Sequence, residues 1–224
     1  MDHVIGIDIG TQSTKALLVQ TDGTIVAQAS RSYAPDTPHP SWAEQWPDVW
    51  LDAVEHSIVD VMRSADPASV KAVAISSLYG GSGIPVDTGM QPLHPCLIWM
   101  DRRAETQVAW VKANIDRDRL GRITGNGVDS YYGYTKMMWL RDERPEVWNR
   151  TALFLPPNAY IAHRLTGEVA VDHSSAGNIG GIYDIERRAW SPEMLQALGI
   201  PARMMPPRLV ASTDIVGGLK PDWA

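Results

Sequence analysis

Residues 6–15, Gly-Ile-Asp-Ile-Gly-Thr-Gln-Ser-Thr-Lys, concentrate side chains suited to phosphate. An apolar run (Val4, Ile5, Ile7, Ile9) carries one acid, Asp8, and breaks at Gly10 into Thr11, Gln12, Ser13, Thr14 and Lys15. A carboxylate at the end of a buried strand is costly unless something pairs with it. A Gly/Thr/Ser turn beside it supplies N–H groups and hydroxyls that phosphate oxygens can use. Asp8 could then position a phosphate-bound Mg²⁺, usually through water, because Mg²⁺ keeps much of its hydration shell. The spacing is neither a Walker A loop nor a GxGxxG fingerprint. The same residue types also occur at ordinary strand ends and tight turns. Lys15 reads equally as a point charge for phosphate or as a solvated strand-edge lysine.

The elements that must hold this turn follow from periodicity. Residues 14–20 form a second apolar run, Thr21-Asp22-Gly23 is a hairpin signal, and Ile25, Ala27 and Ala29 alternate as a third strand. After a proline-rich loop, Trp50, Ala53, Val54, Ser57, Ile58, Val61 and Met62 fall on one helical face, closed by Asp66-Pro67. Residues 70–75 read as a buried fourth strand, and the glycine-rich stretch 76–83 breaks it. Residues 84–87 and 92–99 suggest a hairpin turned at Thr88-Gly89. Helices are expected at 101–114, 116–123, 136–143, 158–165 and 192–198, with a fifth strand at 152–155. The predicted architecture is α/β, a mixed five-stranded sheet with helices on both faces.

Composition narrows the function classes. The 224 residues carry a net charge of −6, with 44% hydrophobic and 21% charged residues, the balance of an ordinary globular chain. That charge, without a dense basic run, argues against a nucleic-acid partner. A single cysteine, Cys96, leaves no internal disulfide and no cysteine metal cluster. No apolar segment approaches a membrane span and the start lacks a signal-peptide pattern, so a cytoplasmic setting is expected. Nine tryptophans against one phenylalanine suit clefts with one wet side, since each indole N–H needs a partner.

The predicted element order, with an acid on the first strand, resembles the ribonuclease-H-like domain of the actin and hexokinase-like ATPase superfamily. Within it, several segments resemble the FGGY family of carbohydrate kinases, nearest its xylulose kinases. Gly6 to Lys15 is similar to the phosphate segment, Trp42-Ala43-Glu44-Gln45 before Pro47 and Trp50 to the W-x-E-Q-x-P-x-x-W stretch, and Ile98 to Arg103 to a substrate-contacting strand end. Thr124-Gly125-Asn126, Lys136-Met137-Met138-Trp139, and Leu165-Thr166-Gly167-Glu168 with Asp172 and Ala176 follow in the family's order.

The resemblance implies ATP- and Mg²⁺-dependent phosphorylation of a sugar hydroxyl, with a ketopentose such as xylulose as substrate. Asp8 would act as an accessory catalytic group organising Mg²⁺ and phosphate, and Gly10 to Lys15 would face the phosphates. Tyr79, Gly80, Trp99, Asp101 and Arg103 would line the sugar. An aromatic ring for the sugar's apolar face, with a carboxylate and a guanidinium for its hydroxyls, is sensible polyol chemistry. Alternatively, Trp99 simply ends a strand and Asp101 caps the following helix.

Three departures stand out. Leu78-Tyr79-Gly80-Gly81 replaces a Gln-Met-His-Gly-like turn, Gly133 replaces the usual Pro, Ser or Thr, and the Gly-Gly-x-Asp segment that opens a second, nucleotide-binding domain is not found by Ala224. Residues 1–224 are therefore expected to form the N-terminal domain, with little kinase activity alone because the catalytic-base aspartate lies in the other half. A non-catalytic sugar-binding or partner-docking module, such as a homodimer, is the competing expectation.

Overall fold

A computed structural model of the protein describes residues 1–79 and 81–223. Strands β1 (His3–Ile9), β2 (Ser13–Gln20) and β3 (Ile25–Ser32) form an antiparallel meander. Further along come β4 (Glu44–Gln45), helix α1 (Pro47–Met62) and β5 (Val70–Ser77). Strand β5 returns parallel to β1, giving a mixed sheet in the order β3-β2-β1-β5.

Alternation fixes which face is buried. Ile5, Ile7 and Ile9 of β1 point inward with Ala16 and Leu18 of β2, each large side chain contributing about 2 kcal/mol as an upper estimate. Helix α1 covers them with Trp50, Leu51, Val54 and Val61, starting cleanly because Pro47 needs no N–H partner in the first turn. Among the described residues, no helix covers the opposite face. Asp8, Lys15, Ala72, Ala74 and Ser76 are exposed there, in register across β2, β1 and β5. Strand β5 is accordingly a half-exposed edge rather than a buried strand.

The next elements are β6 (Ile84–Val86), β7 (Cys96–Leu97), α2 (Glu105–Asn114), α3 (Arg117–Thr124), α4 (Gly133–Glu143), α5 (Pro145–Arg150), β8 (Leu153–Leu155) and α6 (Pro157–Thr166). Strand β8 was expected as the fifth strand of the main sheet, but it pairs antiparallel with β6 instead. The glycine-rich turn after β5 carries the chain off the sheet. A Cβ on Gly83 (φ +73°) would stand 3.2 Å from the Leu155 carbonyl oxygen, so glycine lets β8 approach.

The turn near Thr88-Gly89 is real, since Asp87 N donates to Gln91 O at 3.0 Å. Its second arm stops at the Val86–Pro92 bridge, and Cys96–Leu97 pairs with Glu44–Gln45. Pro92 and Pro95 remove the donors a continuous ladder would need.

Two large cores result. One lies between the sheet, α1 and α6. The other large core gathers α2, α3, α4, α5 and the helix Pro192–Leu198. The short strands divide them by alternation. Leu97 and Phe154 enter the helical core, while Cys96, Ile98 and Leu155 enter the sheet core. Among the described residues, no helix is long and apolar enough to cross a membrane.

Candidate functional site

The phosphate-type turn is a tight loop between β1 and β2. Gly10 N donates to Ser13 O at 2.8 Å, and a Cβ on Gly10 would stand 2.9 Å from that oxygen. Only glycine closes the turn without moving its backbone. Tyr33 braces it from β3's end. Its hydroxyl donates to Gly10 O at 2.8 Å and accepts from Thr14 Oγ1 at 3.0 Å, while its N–H donates to Gln12 O. Burial, and the nearby Asp8 charge, push the Tyr33 phenol above its ordinary range.

Asp8 and Lys15 are both exposed and lie opposite each other across β1 and β2, with Ser76 on Asp8's other side. Among the described residues nothing hydrogen-bonds or ion-pairs with the Asp8 carboxylate. It is therefore open to a hydrated cation, and being solvated it escapes the desolvation penalty of a buried acid.

Trp99 meets this turn directly. Its indole Nε1 donates to Thr11 Oγ1 at 3.0 Å, and the residue remains 38% exposed. The two sequence segments singled out for chemistry, 88 residues apart, thus share one hydrogen bond.

Asp101 and Arg103 occupy a different environment. Their side chains are 0% and 1% exposed. Asp101 Oδ2 accepts from Ala43 N at 2.7 Å and from Arg103 Nε at 2.8 Å, and Oδ1 accepts from Arg103 N at 3.0 Å. Arg103 also pairs with Glu44 at 2.5 Å and lies 3.7 Å from the Trp42 ring centroid and 4.9 Å from that of Trp139. The pair locks the Trp42–Gln45 segment to the Trp99 strand end and presents no open face. Nor does Asp101 cap α2, which starts at Glu105 after Ala104 with no side-chain cap. The chain from Ile98 to Ala104 is bent around the ion pair instead of coiling.

Tyr79 follows β5. Its hydroxyl accepts from Gly133 N at 2.6 Å, at the start of α4, and its ring centroid lies 4.8 Å from that of Tyr131. Burial raises its phenol well above the ordinary value. Gly80 lies outside the described residues. The Gly133 departure has a steric cause: a Cβ there would come 2.0 Å from Gly81 O and 3.3 Å from Ile179 Cγ2.

A cleft opens at the carboxyl ends of β1 and β5, where α/β folds commonly receive ligands. It is lined by Ser77, Tyr79, Gly81, Ser175, Asn178 and Ile179, among others. Leu78 N donates to Ile9 O at 2.6 Å, which sets this lining beside the phosphate-type turn. Sequence reasoning missed Tyr33, and it missed that Asn158 (on α6) and Ser175 gather around Asp172 next to Ser77. Asn158 Nδ2 donates to Asp172 and Ser175, and Ser175 donates to Asp172 at 2.6 Å. Burial pushes the Asp172 carboxyl up, but hydrogen bonds from Ser175, Asn158 and Ser212 outweigh it and hold the group below its ordinary value. In the sequence Asp172 stood out only through the family resemblance; in the structure it also caps the following helix (residues 173–179).

A mixed sheet with an acid at the end of β1, a glycine turn after it and a cleft at the strand ends is the arrangement expected of a sugar-kinase domain. Residues 3–224 match the FGGY family of carbohydrate kinases, N-terminal domain, and the chain belongs to that family. It is 31% identical to a xylulose kinase of Lactococcus lactis subsp. lactis (strain IL1403), covering 100% of this chain and 44% of that protein. Among solved structures, a xylulose kinase from Rhodospirillum rubrum superposes with a TM-score of 0.92 at 29% identity, covering 99% of this chain and 45% of its own. A gluconate kinase from Lactobacillus acidophilus also reaches 0.92, at 26% identity over 99% of this chain and 44% of its own. The chain spans less than half the length of these relatives.

Proposed function

We propose that this chain forms the sugar- and phosphate-facing wall of an ATP-dependent kinase acting on a ketopentose such as xylulose. The observation that carries the reading is the Trp99–Thr11 hydrogen bond, which joins the ring suited to a sugar face to the turn suited to phosphate. Phosphoryl transfer requires mainly positioning and charge stabilisation, and a shared anchor between the two segments serves that need.

In this reading Trp99 and Tyr79 offer apolar faces to the sugar, and Ser77, Ser175 and Asn178 offer hydroxyl and amide groups. Asp101 and Arg103 act one step back, holding Trp99 in place rather than touching the sugar. The exposed Asp8 carboxylate fits a hydrated Mg²⁺, and the amides and hydroxyls of residues 10–14 fit phosphate oxygens. When bound, MgATP supplies the transferred phosphoryl group and neutralises its charge.

Calorimetric titration of the chain with D-xylulose, D-gluconate and L-fuculose tests the sugar assignment. D-xylulose should bind tightest, and Trp99→Ala should weaken it about tenfold, the loss of one ring contact. Tighter binding of gluconate, or no response to the Trp99 change, would refute it. With radiolabelled ATP and D-xylulose, Asp8→Asn should abolish phosphate transfer while sugar affinity stays within about twofold.

A further inference from the structure

Lys136 sits in the first turns of α4 with 0% of its surface exposed. Lysine is almost never buried without a partner carboxylate, yet among the described residues no Asp or Glu lies within ion-pair distance. Its Nζ donates instead to two backbone carbonyls, Ser130 O and Tyr131 O, the latter at 2.8 Å. The position is costly in a second way, because the amino end of a helix disfavours a cation. An apolar side chain would fill the space with less penalty. The two carbonyls belong to the loop that delivers Tyr131 to Tyr79, and Tyr79 lines the cleft.

We propose that Lys136 is a positioning residue for the cleft: it ties the Ser130 and Tyr131 carbonyls back onto α4 and thereby fixes Tyr131 and the Gly133 amide against Tyr79. The rest of the loop is arranged around that tie. Asp129 accepts from Tyr131 N at 2.7 Å and pairs with Arg102, and Ser130 gives its hydroxyl to Glu105. Arg102 also lies 6.0 Å from the Tyr131 ring centroid. Without Lys136 the carbonyls of 130 and 131 lose their donors, and the stack on Tyr79 loosens. The cleft reading concerns the same sugar site proposed above, but the tie itself does not depend on it.

The charged groups around Lys136 set the sign of its pH response. Burial lowers its ammonium pKa to about 7; Asp101, Cys96 and Asp129 favour the charged form, and Arg102 opposes it. When the loop opens, Lys136 becomes solvated and returns toward its ordinary value near 10.4. Between those values the opened form holds the extra proton, so loop closure strengthens as pH rises. The neutral amine still donates to both carbonyls.

Hydrogen exchange on the whole chain at pH 7, 8 and 9 reads this directly. After correction for intrinsic rates, protection of the Tyr131, Tyr132 and Gly133 amides should rise about fivefold from pH 7 to 8 and about ninefold from pH 8 to 9 in the wild type. In Lys136→Met it should be flat and at least about tenfold lower at pH 9, with exchange elsewhere changed less than about twofold. Lys136→Arg, which retains donors and charge, should recover part of the protection. A purely structural lysine would lower protection throughout the chain. A flat wild-type pH series overturns the proposal, and that measurement stands even if the Met variant does not fold. Titration with D-xylulose forms the second arm, where Lys136→Met should weaken binding about tenfold. If the wild type binds no sugar, the sugar reading fails, while the tie is still judged by exchange at Gly133. If Lys136→Met binds D-xylulose like the wild type, the link to the cleft is refuted.

Discussion

Replacing Arg103 by Met tests whether the buried ion pair, rather than packing alone, holds the Trp99 strand end. Met keeps the length of the side chain and loses the guanidinium. Asp101, 0% exposed, is then left with the Ala43 and residue-103 amides, and Glu44 loses its partner. Removing one member of a buried pair costs about 3–5 kcal/mol. The two remaining amide donors put this case near 3 kcal/mol, and the stacking over Trp42 at 3.7 Å adds about 1 kcal/mol. A total near 4 kcal/mol corresponds to a fall in Tm of about 8–16 °C for a domain of this size. Urea unfolding followed by tryptophan fluorescence measures it. The double variant Asp101→Asn/Arg103→Met removes the stranded charge while keeping an acceptor for Ala43 N. It should recover at least about 1 kcal/mol relative to the single variant. A single variant within about 0.5 kcal/mol of wild type, or a double variant no more stable than the single one, would refute the reasoning.

Gly133→Ala places a methyl group 2.0 Å from Gly81 O, and the overpacking should cost about 1–3 kcal/mol or more by chemical denaturation. No measurable loss would mean that the two backbones do not pack so closely. Tyr33→Phe deletes the hydroxyl shared by Gly10 O and Thr14 Oγ1, so stability should fall by about 1 kcal/mol, and exchange of the amides of residues 10–14 should quicken. The folded Asp172 carboxyl lies below its ordinary value, so its contribution is complete above about pH 4 and is lost as pH falls through the folded value. Asp172→Asn should therefore be less stable than wild type at pH 7, with the gap narrowing as acid titration proceeds below the ordinary carboxyl range. Burial pushes the Cys96 thiol up to about 12, so an aromatic disulfide reagent should label it only at the rate of unfolding.

Local signals made much of the molecule legible in advance. Alternation in residues 3–9 and 13–20, the Thr21-Asp22-Gly23 turn and the apolar stripe of α1 all act over a few residues. They specified the meander and its covering helix regardless of what packs elsewhere. Gly10 was legible for the same reason, since the turn closes on Ser13 only three residues away. Sheet partners were not legible. The 153–155 segment has the composition of a strand for any sheet, and only the turn after β5 and the close approach of Gly83 direct it to β6.

The candidate site divides along the same line. Residue types in 6–15 indicated phosphate chemistry, because a carboxylate and a glycine turn carry that capability in any fold, and the family resemblance of 98–103 implied polyol chemistry there. Which of them face solvent is a tertiary matter. Asp101 and Arg103 have the chemistry of sugar ligands, yet Glu44, Trp42 and Trp139, up to 61 residues away in sequence, enclose them. Lys136 looks like a surface lysine until the Ser130 and Tyr131 carbonyls are brought over it. The sequence by itself determined which groups could react, because that depends on covalent chemistry and short-range turns. The tertiary structure alone decided which are exposed to act and which are buried to hold the others, because burial and charge pairing arise from contacts between distant segments.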